Sequence, residues 1–207
     1  MTLYELVFIL LFLGSVISLL LSAFLWRRRA SWKILVALAS VWSVYLAILA
    51  VTDVLSSEEV FKVGEEECFD EMCFAVTGVQ TLPEQAFNPA STSVSRLYVV
   101  TIRVVSHSRG RAQAEGGLRG RLYDGGTYIN VSEAAQKAYD ARNGESPGLT
   151  QRIAPGENIQ SVLVFDVPQR IAHPALTLDH GFTPGYFVIG ESPFFHKPNI
   201  HQLPDGR

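Results

Sequence analysis

The chain has 207 residues, of which 48% are hydrophobic and 18% are charged, and its formal net charge is −3. This length accommodates one medium-sized domain and a membrane segment, but not two full domains. From Asp53 onward the sequence holds 13 Lys and Arg against 19 Asp and Glu. Because a nucleic-acid partner requires a basic face, this excess of acid argues against one.

Two long uncharged runs open the chain, Leu6 to Trp26 and Ile34 to Thr52. At about 1.5 Å per residue, a helix over either run covers the roughly 30 Å hydrocarbon core of a bilayer. Asp53 ends the second run. Residues 1–55 are therefore predicted to form a transmembrane α-hairpin, and the lipid bilayer is the first partner that the sequence implies.

The connection between the two runs is short and basic. So few residues force the two helices to be antiparallel. Lysines and arginines of short loops concentrate on the cytoplasmic side, and tryptophans concentrate at the membrane interface. We therefore expect a two-span protein of the cell inner membrane, with everything after Asp53 periplasmic or extracellular. The expected membrane-interface residues are Trp26, Arg27, Arg28, Arg29, Trp32 and Lys33.

A cleaved signal peptide is the alternative for the first run. Signal peptides begin with positive charges, whereas here Glu5 precedes the run and the cations follow it. The order of the charges therefore favours a retained helix.

Residues 56–73 form an acidic connector. Between Ser56 and Glu71, seven carboxylates stand against Lys62 alone, and this composition is typical of a solvated segment. A calcium loop would require alternating oxygen ligands around a central glycine, and that spacing is missing. We expect a stalk in water that binds no metal.

Cys68 and Cys73 are the two cysteines of the chain. On the oxidising side of the membrane they are expected to form a disulfide. Closing so small a loop stabilises the fold by about 2 kcal/mol through chain entropy, enough to attach the stalk to the first strand. A redox-active pair is the alternative, but such pairs are more often Cys-x-x-Cys, and the acidic surroundings disfavour a thiolate.

Residues 74–207 are predicted to form an all-β domain with a C-terminal tail. Short β-rich runs alternate with Gly, Pro and Ser clusters, the pattern of an antiparallel sandwich. The run from Leu97 to Val105 is apolar on both faces, so a loop or the opposing edge should cover the face that points away from the core. One helix is expected over Ser132 to Tyr139, with Ser132 as its N-cap. The candidate strands are Phe74 to Thr81, Arg96 to Ser106, Gly117 to Tyr123, Thr127 to Val131, Ile159 to Val167, Ala175 to Asp179 and Tyr186 to Ile189.

Four short motifs carry a resemblance to a known family. They are Val-Thr-Gly-Val at 76–79, the Leu-x-Asp-x-Gly type hairpin at 122–126, Ala-Pro-Gly-Glu at 154–157 and Val-Phe-Asp-Val-Pro at 164–168. In this order they resemble the immunoglobulin-like extracellular β-sandwich domains of unknown function on bacterial lipoproteins and membrane-anchored proteins, a group similar to mycobacterial secreted immunogenic antigens. The resemblance covers about residues 74–189. It implies an immunoglobulin-like fold and an extracytoplasmic location, and it implies no catalytic residues.

No enzyme motif accompanies these features. The sequence has no nucleophile elbow, phosphate-binding loop or dinucleotide fingerprint, and no histidine pair with the spacing of a zinc site. We therefore expect no catalysis, no cofactor and no metal. His196 and His201 lie in a proline-rich tail and are expected to be exposed or to cap backbone groups.

Two groups of residues are candidates for contact with a partner. Arg103, Arg119 and Arg121 would meet anionic lipid headgroups or a cell-wall polymer if they shared one face, although solvated strand faces also explain them. Phe194 and Phe195 lie between prolines. They either fold back over the domain or form a partner-binding peptide.

The sequence thus predicts an N-terminal transmembrane α-hairpin followed by an all-β immunoglobulin-like sandwich. The expected function is that of a membrane-anchored extracytoplasmic interaction protein, whose ligand is another protein or an envelope component. The alternative is a redox or disulfide-linked accessory subunit of a membrane complex that uses Cys68 and Cys73.

Overall fold

A computed structural model describes residues 3–24, 30–83, 95–168, 171, 174–180, 187–189 and 198–203. The chain divides into two compact units. The helical unit comprises Met1–Glu58 and Phe182–Pro198, and the strand unit comprises Glu59–Gly181 and Asn199–Arg207. Some of the predicted site residues lie outside the described residues, namely Trp26, Arg27, Arg28, Arg29, Phe194 and Phe195.

The helical unit contains the two predicted apolar helices, α1 (Leu3–Phe24) and α2 (Ala30–Leu55). Their apolar windows have mean hydropathies of 2.7 and 2.5, and only 11% of each window is buried. Both helices are therefore long and apolar enough to cross a membrane. They contact each other through the indole N–H of Trp42, which donates to the Ser15 hydroxyl at 2.8 Å.

A short segment from late in the chain also belongs to the helical unit. Residues 187–189 form a turn, so the strand predicted over Tyr186 to Ile189 is wrong for these three residues. The Phe187 ring lies parallel to the Phe8 ring of α1 at 6.0 Å, and its carbonyl accepts a hydrogen bond from the Tyr45 hydroxyl of α2. The apolar residues of this segment thus contact helices instead of a sheet.

The strand unit contains nine described strands and one helix. The sequence predicted six of these strands to within a few residues, and it missed the short β1, β2 and β9. The strands are β1 (Val60–Phe61), β2 (Glu67–Phe69), β3 (Met72–Pro83), β4 (Ser95–Ser106), β5 (Arg119–Asp124), β6 (Thr127–Ile129), β7 (Asn158–Pro168), β8 (Ala175–Asp179) and β9 (Ile200–His201), and the helix is α3 (Glu133–Asn143).

The strands form two sheets. The four-stranded sheet has the order β2-β3-β4-β7 and is antiparallel throughout, whereas the five-stranded sheet has the order β1-β9-β8-β5-β6 and contains one parallel pair, β1 with β9. Side chains from both sheets form one apolar core, which confirms a β-sandwich. The strand order does not confirm the finer, immunoglobulin-like arrangement. Fully buried core residues include Phe74, Val100, Ile102, Leu122, Phe165 and Leu176.

Helix α3 covers the outer face of the four-stranded sheet. Leu97 and Val99 of β4 are buried there with Val164 of β7, against Ala135 and Tyr139 of α3. The apolar pattern on both faces of β4 is thereby explained, with a helix in place of the loop or edge that we expected. The predicted N-cap is confirmed, because the hydroxyl of the residue before the helix, Ser132, accepts from the Ala135 backbone N–H.

The same helix also covers part of the free edge of β7. The Gln136 side chain accepts from the Val164 backbone N–H at 2.9 Å and donates to the Val162 carbonyl at 3.2 Å. The Ser132 backbone N–H donates to the Val164 carbonyl at 2.9 Å. These bonds occupy edge groups that would otherwise be open to another strand.

Candidate functional site

The disulfide lies at the start of the four-stranded sheet, in the hairpin of β2 and β3. Cys68 and Cys73 are directly opposite each other in the ladder, and the structure joins them as predicted. Asp70 turns the hairpin with a φ of 56°, a conformation that aspartate tolerates better than most residues. Cys68 is exposed and Cys73 is buried. An external thiol would therefore reach Cys68 first.

Charged side chains surround the disulfide on the outer face of the sheet. Arg103 donates to one carboxylate oxygen of Glu66 at 3.1 Å, and His107 Nε2 lies 3.4 Å from the other oxygen. One ligand atom each of Glu66, Cys73 and His107 lies within 4.8 Å of the others. The environment of the cysteines is thus mixed in charge, which corrects the expectation of acidic surroundings, because β4 brings basic residues beside the connector.

The neighbouring carboxylate, Glu67, points to the opposite side of β2 and is buried. Since side chains alternate along a strand, Glu67 shares the core side with its ladder partner Phe74. Its carboxylate accepts from the Asn199 amide at 2.9 Å and lies 2.9 Å from His201 Nε2. The expectation of a fully solvated stalk is therefore wrong at Glu67.

His201 is fully buried, which contradicts the expectation of an exposed or capping histidine. Strand β9 places it between β1 and β8, opposite Phe61 and Leu176. Its ring stacks on the Phe61 ring at 5.0 Å, and its Nδ1 has no hydrogen-bond partner among the residues that the structure describes. The parallel pairing of β1 with β9 is the cause, because it draws the connector and the tail into the same sheet.

The three candidate arginines do not share a face. Arg103 lies on the outer face of the four-stranded sheet, since its neighbours along β4, Ile102 and Val104, point into the core. Arg119 and Arg121 alternate with the core residue Leu122 on β5, and so they lie on the outer face of the other sheet. The condition for a single basic surface is therefore not met.

On that second face, arginines and tyrosines cluster. Arg121 binds Asp179 at 2.7 Å, and Arg119 lies 3.4 Å from the same carboxylate. The Arg121 guanidinium carbon is 4.1 Å from the centre of the Tyr128 ring, which in turn packs on Tyr123 at 5.1 Å. We call the two arginines and the two tyrosines, Arg119, Arg121, Tyr123 and Tyr128, the Arg–Tyr face. The cation over an aromatic ring holds Arg121 in place.

Two of the predicted membrane-interface residues are described, and both lie in the first turns of α2. Trp32 is 71% exposed, and Lys33 is also exposed. Their exposure leaves them available to a solvent or lipid environment.

No protein-family model and no curated protein matches this chain. Three solved structures are similar in backbone. A conserved hypothetical protein from Bacillus anthracis is 13% identical, with 59% of this chain and 92% of that chain covered and a TM-score of 0.45. The yjhA protein from Bacillus subtilis is 12% identical, with 70% and 99% covered and a TM-score of 0.40. An uncharacterized beta-sandwich protein from Clostridium difficile is 10% identical, with 72% and 96% covered and a TM-score of 0.35.

Sequence reasoning missed the buried Glu67–His201 pair and the Arg103–Glu66–His107 cluster. Each joins residues far apart in the sequence, Glu67 with His201 across 134 positions and Glu66 with His107 across 41. The sequence carries no local signal for either group. Glu67, Cys68 and Phe69 do not alternate between polar and apolar residues, and two-residue strands such as β1 and β9 carry no periodicity.

Proposed function

We propose that this protein is a membrane-anchored interaction module of the cell inner membrane, with its β-sandwich on the periplasmic or extracellular side. The observation that carries the proposal is the pair of helices, each apolar over at least 18 residues and mostly exposed along its length. A soluble protein would bury such faces. We also propose that the β-sandwich is of the immunoglobulin-like type.

The charges between the two helices support this orientation. The connection and the start of α2 contain four cations, Arg27, Arg28, Arg29 and Lys33. Cations so concentrated in a short loop favour the cytoplasmic side. Both helix ends away from that connection would then face the other compartment, where a disulfide such as Cys68–Cys73 persists.

The Arg–Tyr face is the surface that we propose for contact with a protein or an envelope component. Arginine and tyrosine are enriched where proteins bind partners, since they combine apolar area with polar groups. Arg119 and Tyr128 are the more accessible members, with the Arg119 side chain 57% exposed and Tyr128 41% exposed. Asp179 fixes the two arginines and reduces the entropy that binding would cost.

Photocrosslinking in intact membranes tests this surface. A photoreactive amino acid at Tyr128 should give an adduct with a discrete partner, and Arg119→Gln should reduce its yield. The matched control is the same probe at Lys137, an exposed residue of α3 on the other side of the sandwich. No adduct at Tyr128, or equal adducts at both positions, would contradict the proposed surface.

A second candidate function is that of a disulfide-linked accessory subunit in which Cys68 and Cys73 exchange with another dithiol. The specific observation in its favour is the asymmetry of the pair, with Cys68 exposed and Cys73 buried beside basic Arg103 and His107. In the exchange, an external thiolate would bond to the Cys68 sulfur and release Cys73 as a thiolate. The nearby Arg103 guanidinium favours such a leaving group.

Trapping distinguishes a cycling disulfide from a permanent one. Cys73→Ser leaves Cys68 exposed and unpaired, so a natural exchange partner should accumulate as a mixed disulfide. Cys68→Ser leaves the buried Cys73 and should trap much less. If neither variant yields a mixed disulfide, and all wild-type cysteines stay oxidised in cells, the exchange function is excluded.

A further inference from the structure

The surroundings of Cys73 contain the donors of a metal site that the disulfide keeps closed. Glu66 Oε2 and His107 Nε2 are 3.4 Å apart, and one carboxylate oxygen of Glu66 and one ring nitrogen of His107 lie within 4.8 Å of the Cys73 sulfur. Four ligands around a tetrahedral Zn²⁺ are separated by about 3.3 to 3.8 Å, given bond lengths of about 2.0 to 2.3 Å. The donors are therefore already near the distances that one ion requires.

We propose that reduction of the Cys68–Cys73 bond converts this cluster into a zinc site with Cys68, Cys73, His107 and Glu66 as ligands. The proposal rests on the second candidate function to the extent that the bond must be reducible. A dithiol supplies two electrons and two protons and becomes a disulfide, which leaves two thiols on this chain. Zn²⁺ then displaces both thiol protons to solvent.

The ligand set selects the metal. Two sulfurs with one imidazole nitrogen favour Zn²⁺ among the abundant divalent ions, whereas Mg²⁺ and Ca²⁺ prefer oxygen ligands. The formal charges also balance. Two thiolates and the Glu66 carboxylate carry three negative charges, and Zn²⁺ with the Arg103 guanidinium carries three positive ones.

The fold holds three of the ligands in place without the disulfide. Cys73 lies in the ladder between β3 and β4, opposite Val105. The His107 backbone N–H donates to the Glu71 carbonyl at 2.8 Å. Arg103 holds Oε1 of Glu66 at 3.1 Å, so that Oε2 remains to face the imidazole. A preorganised set of ligands of this kind binds metal without a large ordering cost.

The fourth ligand, Cys68, is held through its neighbours on β2. Glu67 is bonded to Asn199 and lies beside His201, and Phe69 pairs with Met72 in the ladder. These contacts keep β2 on the sheet after reduction. The two sulfurs can then separate enough for both to bind one ion.

Cobalt binding to the full chain in detergent tests the proposal. The protein is reduced with a phosphine, which is oxidised to its oxide and does not compete for metal as dithiols do. Reduced protein should bind one Co²⁺ with a thiolate-to-cobalt charge-transfer band and the visible bands of tetrahedral cobalt, and Zn²⁺ should displace it. Oxidised protein should show neither band.

Matched variants locate the site. His107→Ala and Glu66→Gln should each weaken Co²⁺ binding by about tenfold or more, whereas His180→Ala and Glu65→Gln should leave it unchanged. Equal affinity in all variants, no thiolate band after reduction, or loss of the β signal in circular dichroism on reduction would each overturn the proposal. Because the reductant is chemical, metal binding is measured whether or not a natural exchange partner exists.

Discussion

Glu67 and His201 form a buried pair, with carboxylate and imidazole 2.9 Å apart and both side chains almost fully removed from solvent. Through it, the connector that leaves α2 and the tail at the end of the chain are held in one sandwich. The Asn199 amide bonds to the second carboxylate oxygen. Since both oxygens of Glu67 have partners, its burial is compensated.

Removal of one member of this pair should destabilise the strand unit strongly. His201→Ala leaves one oxygen of the buried Glu67 carboxylate without a partner, and a loss of about 2 to 3 kcal/mol is expected. Thermal and denaturant unfolding of the full chain in detergent, followed by circular dichroism, measures it. Glu67→Gln keeps a hydrogen-bonding side chain at this position, so it should lower the free energy of unfolding by less than His201→Ala does.

The control for that prediction is the Glu115–His180 pair of the same unit. Its atoms are 2.7 Å apart, but the His180 side chain is 38% exposed. His180→Ala should therefore cost at most about 1 kcal/mol. If His201→Ala and His180→Ala have equal effects, the buried pair does not hold the connector and tail in place.

The disulfide should stabilise the fold modestly, by joining β2 to β3. Replacement of both Cys68 and Cys73 by serine should lower the free energy of unfolding by about 2 kcal/mol, the chain entropy of so small a loop. The fold should persist, because Glu67 still anchors β2. Denaturant unfolding of the double variant beside the oxidised protein tests this, and complete loss of the β signal would be inconsistent with it.

Gln136 should protect the β7 edge from other strands. Gln136→Ala removes the bonds to the Val162 carbonyl and the Val164 N–H. The Val164 N–H is then left unpaired, whereas the Val162 carbonyl still accepts from the Ser146 hydroxyl at 3.4 Å. We expect a loss of about 1 kcal/mol and an increase in self-association at high concentration. Light scattering measures the latter. Lys137→Ala, one residue along the same helix, is the control, and it should change neither stability nor self-association.

Gly120 should be required for close packing of the two sheets. A Cβ there would lie 2.4 Å from Leu163 Cδ1, with Leu149 and Leu176 also close. Gly120→Ala is expected to destabilise by about 1 to 3 kcal/mol. A second substitution, Leu163→Val, should recover part of that loss. A Cβ at Gly148 would have no atom within 4 Å, so Gly148→Ala should leave the free energy of unfolding nearly unchanged.

How far the sequence predicts this fold depends on the length of each element. The apolar helices and strand β4 are located by the length of their apolar runs, and strands β3 and β7 by their length and β-rich pattern, each within a few residues. Strands β1 and β9 have two residues each, so they exist only because β1 pairs with β9 and β9 pairs with β8. Their pairing could not be predicted from local pattern.

The candidate site was predictable only in part, for the same reason. The Cys68–Cys73 bond follows from two nearby cysteines, and the structure confirms it. The positions of Arg103 and His107 beside Glu66 depend on the register of β3 with β4, in which Cys73 lies opposite Val105. That register is a tertiary property, and a shift of one residue would move Arg103 to the core side.

The central claim, a two-span anchor with the sandwich outside the cytoplasm, is tested most directly by single-cysteine labelling in intact cells, with Cys68 and Cys73 replaced by serine. Trp32→Cys places a thiol at the connection between the helices, and Lys137→Cys places one on the strand unit. A membrane-impermeant maleimide should label the Lys137→Cys protein before lysis and the Trp32→Cys protein only after lysis. The reverse pattern, or labelling of neither protein before lysis, would contradict the account.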